Sequence, residues 1–108
     1  MIKKRERISA AVLRNIRPLR TVRGTHIVLK LFDSPSPTGR FAVVVGAGVA
    51  KLATQRNAIR RRIYKWIRGA RPSLQLYNTL IIVLPPFAQL EKHESAGILE
   101  STFSRIRT

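Results

Sequence analysis

A chain of 108 residues, 44% of them hydrophobic, can build one modest core but not two, and is too apolar to be a disordered basic tail. Its 21 Lys/Arg stand against 5 Asp/Glu, a net charge of +16, which calls for nucleic acid or another polyanion, because a merely solvated surface mixes both signs. The absence of cysteine excludes disulfides and thiolate metal sites and fits the cytoplasm, and no apolar run reaches the roughly 18 residues of a membrane span.

Residues 1–7 form a basic arm. An Arg-rich, acid-poor start also suits an organellar transit peptide, whereas Arg14 and Arg17 interrupt any signal-peptide core. Ser9 can cap a first helix with Val12, Leu13 and Ile16 on one face, and Pro18 stops it near Arg17. In HIVLKLF, residues 26–32, Ile27, Leu29 and Leu31 alternate with His26, Val28 and Lys30, the period of a half-buried strand. Lys30 then stands on the non-core face, open either to solvent or to a single nucleic-acid strand. DSPSPTGR, 33–40, reads as a loop, and FAVVVGA, 41–47, as a second strand paired with the first in an antiparallel hairpin.

The segment from Lys51 to Arg71 holds eight Lys/Arg and no acid, yet Ile59, Ile63, Trp66 and Ile67 recur in it at helical spacing. Thr54 is a plausible cap, and the helix runs to about Arg68 before Gly69 and Pro72. On a wheel of about 100° per residue, Asn57, Arg61, Tyr64, Lys65 and Arg68 oppose the apolar stripe, with Arg60 and Arg62 at the flanks. Arginine forks grip phosphates bidentately, Asn reads a base edge or sugar hydroxyl, and Tyr64 can stack on a base. Without acids to pair with, those charges repel one another at i,i+3 and i,i+4, which favours a helix facing nucleic acid over a solvated one. Trp66, on the apolar stripe, belongs to the core.

TLIIVLP, 79–85, is apolar on both faces and reads as an interior strand parallel to 41–47, and a last helix spans about His93 to Ile106 with Leu99, Phe103 and Ile106 inward. Residue pattern alone thus gives an α+β chain: helix, hairpin, helix, strand, helix. From Pro72 to Ser104 the only base is Lys92, against three Glu, so the chain divides into a binding half and a structural half. For catalysis the inventory is poor. His26 and His93 are not placed together, Asp33, Glu91, Glu94 and Glu100 are scattered, and no residue set suggests a catalytic or metal site. Gly46-Ala47-Gly48 lacks the spacing of a phosphate loop, and no helix-turn-helix or zinc-finger pattern suggests DNA.

Ala53, Arg56, Asn57, Ile59 and Arg61 form the pattern A-x-x-R-N-x-I-x-R. Followed by NTLIIVLPPFAQL and ESAGILESTFSRI, and preceded by KKRERI, it resembles the protein subunit of bacterial ribonuclease P. The resemblance implies a single-domain α-β sandwich over 1–108, with a mixed four-stranded sheet packed with three helices in the order αβββαβα, related to the second domain of ribosomal protein S5. It also implies a left-handed crossover through the basic helix, against the general rule. Its expected partners are the ribonuclease P RNA subunit and precursor tRNA, with no DNA, membrane or further protein required. Mg²⁺ would be held mainly by RNA phosphates at an RNA active site. The implied RNA-binding residues are Arg56, Asn57, Arg60, Arg61, Arg62, Tyr64, Lys65 and Arg68, with Lys51, Lys30, Arg5 and Arg7. The family pattern is broken at Ala58, at Ala47-Gly48-Val49 where Ser-Lys-Lys is usual, in VLRNIRPL where a Phe is usual, and at Leu84. Contact through the Arg-Asn helix is therefore expected to persist while the cleft for the tRNA leader is weakened. A second reading is a ribosomal or ribosome-assembly protein with its basic helix in rRNA.

Overall fold

The structure is a computed structural model and describes residues 17–33, 40–70 and 77–107. All but the last residue of the helix expected over 9–17, the basic arm with Arg5 and Arg7, and most of the 33–40 loop lie outside the described residues. Among the described residues there are four strands: β1 (Arg20–Arg23), β2 (Ile27–Asp33), β3 (Phe41–Val44) and β4 (Tyr77–Val83). Two α-helices accompany them, α1 (Ala53–Ala70) and α2 (Lys92–Ser104), with short 3₁₀ turns at Pro85–Gln89 and Arg105–Arg107. These stand in place of the strand end expected at Leu84-Pro85 and of the last turn of the closing helix.

The sheet order is β1-β2-β4-β3. β3 pairs parallel with β4, as the strand–helix–strand order predicts. The expected hairpin between β2 and β3 does not form, because β4 lies between them and pairs antiparallel with β2 from Ile27↔Val83 to Asp33↔Tyr77. The physical reason is burial on both faces. Ile81 and Val83 point to one side of β4 and Leu80 and Ile82 to the other, so the central position hides the most apolar surface. Arg40 ties the start of β3 to β4, its N–H donating to Asn78 Oδ1 (3.1 Å) and its carbonyl accepting from Thr79 N (2.8 Å). β3 is also shorter than 41–47, since the chain turns at 47–49 with Val49 N donating to Gly46 O.

β1 has no counterpart in the apolar pattern, because only Val22 of its four residues is buried. Its hairpin with β2 turns at Gly24, where a Cβ would come within 3.0 Å of the Ile27 carbonyl. Both helices lie on one face of the sheet. Ile59, Ile63 and Ile67 of α1 and Leu99 and Phe103 of α2 join Leu29, Leu31, Phe41 and Ile81 in one core, and each such side chain contributes about 1.5–3 kcal/mol on full burial. Ile106 is buried with them, as its spacing predicts. The other sheet face carries a second cluster, Phe32, Ala42 and Leu80 with Val44 and Ile82 against it.

Candidate nucleic-acid interface

α1 starts at Ala53, one residue before the expected cap, so Thr54 stands inside the first turn. Leu52 takes the preceding position, and its carbonyl accepts from the N–H groups of Gln55 and Arg56 (both 3.1 Å). The side chain that fixes this end is Arg56, whose Nη1 donates to the carbonyls of Ala50 (2.8 Å) and Lys51 (2.7 Å). Arg56 is half-buried. Its place on the wheel explains this: three residues before Ile59, it lies only about 60° from it, on the core side of the helix.

Asn57 and Arg60 are bonded to each other, Asn57 Oδ1 accepting from Arg60 Nη2. Arg62 reaches across to α2, where Nη1 donates to Leu90 O and to Ser95 Oγ, each at 3.1 Å. Tyr64 departs from expectation. It is half-buried and packs against the main core, because its long ring reaches back from the edge of the polar face to the apolar boundary.

The cations that remain outward are Arg61, Lys65 and Arg68, all exposed, at i, i+4 and i+7. With Gly69 they line a shallow depression of about 520 Å³. Lys51 is exposed at the foot of the helix. Among the described residues none of these four side chains has a hydrogen-bonded or carboxylate partner. The carboxylates are elsewhere: Glu91 and Glu94 form the capping box of α2, and Glu91 lies 3.7 Å from His93. Lys30 is half-buried on the opposite sheet face, its cross-strand neighbours being Thr21 and Leu80. It is therefore not brought together with the α1 cations, and that face is more apolar than the sequence pattern suggests. Trp66 is half-buried rather than enclosed, its ring centroid 5.2 Å from that of Phe103.

An α+β sheet backed by two helices, one of them with an uncompensated cationic face, defines a small basic domain suited to a polyanion. The family model described as Ribonuclease P matches residues 2–107, and the chain belongs to that family. The ribonuclease P protein component of Ureaplasma urealyticum serovar 10 is 32% identical over 76 residues, covering 70% of this chain and 64% of that protein. The Ureaplasma parvum serovar 3 protein of the same description is 31% identical over 76 residues, covering 70% and 67%. The match thus spans just under two thirds of the first relative's length. Among solved structures, the Staphylococcus aureus RNase P protein superposes with a TM-score of 0.84 at 17% identity, covering 94% of this chain and 95% of that one. The Thermotoga maritima RNase P protein gives 0.78 at 15%, covering 93% and 96%. At these identities the structures speak to the fold, which they share.

Proposed function

We propose that this chain is the RNA-binding protein subunit of ribonuclease P, assisting 5′-leader removal from precursor tRNA in the cytoplasm. The observation that carries the proposal is the Arg61–Lys65–Arg68 face, unneutralised by any described carboxylate, on the helix that bears the family's Arg-Asn pattern. Such a face binds phosphates and releases their counterions, and between two RNAs it lowers the repulsion that opposes their approach. Arg56, Arg60 and Arg62 then serve mainly to hold that face in place. His26 bonds Thr25, and His93 lies beside Glu91, a carboxylate already engaged in the capping box of α2. No three His, Asp or Glu converge among the described residues, a donor set unsuited to Mg²⁺, so the proposal leaves the metal to RNA phosphates.

Reconstitution tests the proposal. Precursor tRNA, the cognate RNA subunit and Mg²⁺ are assayed for cleavage at the mature 5′ end, with and without the protein. The protein is expected to raise the rate of RNA-dependent cleavage and to cleave nothing alone. Cleavage by RNA-free protein would sink the proposal. Co-purification with ribosomal RNA instead of a ribonuclease P RNA would favour a ribosome-bound role.

A further inference from the structure

Between α1 and α2 runs a groove of about 520 Å³, within the roughly 300–1,000 Å³ usual for small-ligand sites. Its apolar lining includes Trp66, Ala96 and Leu99, and its cationic lining Arg61, Lys65 and Lys92. Arg61, Lys65 and Gly69 also line the shallow depression that holds Arg68, so an apolar slot and a cationic shelf share one border. The side chains at the base of the slot are fixed. Arg62 Nη1 is bonded to Ser95 Oγ, which itself donates to Glu91 O, and Trp66 leans on Phe103. The nearby carboxylates are also engaged, with Glu94 Oε1 accepting from Glu91 N at 2.9 Å.

The occupant must be flat and apolar in the middle and anionic at its ends. An apolar peptide would leave the cations uncompensated. We infer that the groove receives one unstacked nucleobase of a bound RNA. The base lies against Trp66 and Ala96, and its flanking phosphates rest on Arg61, Lys65 and Arg68 on one side and Lys92 on the other. The inference rests on the RNA-binding reading and adds a base-dependent component to it, of the sequence-tolerant kind that aromatic side chains give single strands.

Trp66 is the chain's one tryptophan, so intrinsic fluorescence reports on this groove. The full-length protein is titrated with a five-residue oligoadenylate and with an abasic ribose-phosphate oligomer of equal length and charge. Oligoadenylate is expected to quench Trp66 and to bind about tenfold more tightly than the abasic oligomer, the ratio one stacked base provides. In Gly69→Leu, the new Cβ meets nothing within 4 Å, so the helix is undisturbed by circular dichroism while the side chain blocks the mouth. The tenfold ratio should fall to near one. Equal affinities in the wild type with unchanged fluorescence would overturn the base site and leave the RNA-binding reading standing. Failure to bind either oligomer at low salt would sink that reading as well. Dimerisation of the wild type that Gly69→Leu abolishes would assign the groove to a second copy of the chain and overturn the inference.

Discussion

The two sides of α1 use their basic residues for different ends. On the core side and at its flank Arg56 and Arg60 are engaged by the protein itself, by the carbonyls of Ala50 and Lys51 and by Asn57. On the side away from the core Arg61, Lys65 and Arg68 face outward without a described partner. Arg62, at the flank, again turns inward to α2. A formal charge count therefore overstates the cations available to a ligand. Arginines that donate to backbone carbonyls remain charged, but their forks are directed into the fold and reach a phosphate poorly.

This contrast can be broken by substitution. The largest effect is expected from replacing Arg61, Lys65 and Arg68 together by Ala. Each lost phosphate contact removes about 0.7–0.9 from the slope of log K against log[salt], so the triple variant should be shallower by about two to three, with native far-UV circular dichroism. An unchanged slope would place the interface elsewhere. Arg56→Ala should act on stability first, costing about 1–3 kcal/mol in urea unfolding, because charge-assisted bonds to two carbonyls are lost from a half-buried site. If it weakens RNA binding but leaves unfolding unchanged, the division between the two sides is wrong. Arg62→Ala should cost about 1–2 kcal/mol, less than Arg56→Ala because Ser95 Oγ keeps its bond to Glu91 O. Asn57→Ala should be smallest, within about 0.5 kcal/mol in stability, since its bond to Arg60 is exposed. Its release of Arg60 should steepen the salt slope slightly, and a shallower slope would show that Asn57 itself touches RNA.

Much of this was legible in the sequence, and the gaps have physical causes. The 3.6-residue spacing of Ile59, Ile63 and Ile67 and of Leu99, Phe103 and Ile106 marks the buried faces because each helix packs on a single side of the sheet. β1 was not legible: with Val22 as its one buried residue there is no alternation to read. Strand order was misread because proximity in sequence favours a hairpin, whereas burial of both faces of β4 decides the centre. Within the site, the wheel angle of Arg56 pointed inward, but its residue type suggested a phosphate ligand. Tyr64 misled for the opposite reason, its length carrying the ring away from where its Cα points. The groove beside Trp66 depends on how α1 sits against α2, which no local pattern encodes.

The central position of β4 also has a consequence for how the chain folds. Among the described residues β3 has no hydrogen-bonded strand neighbour except β4, which follows it only after the whole of α1. During synthesis the β1–β2 hairpin can close early, while β3 emerges as an open edge and must wait. Pairings of this sequence separation carry a loop-closure penalty before any contact rewards it, so they slow the crossing of the folding barrier. Residues 77–83 thus act as the keystone of the sheet, its last strand to be laid, and a nascent chain stalled before them exposes a basic helix with no completed sheet to rest on.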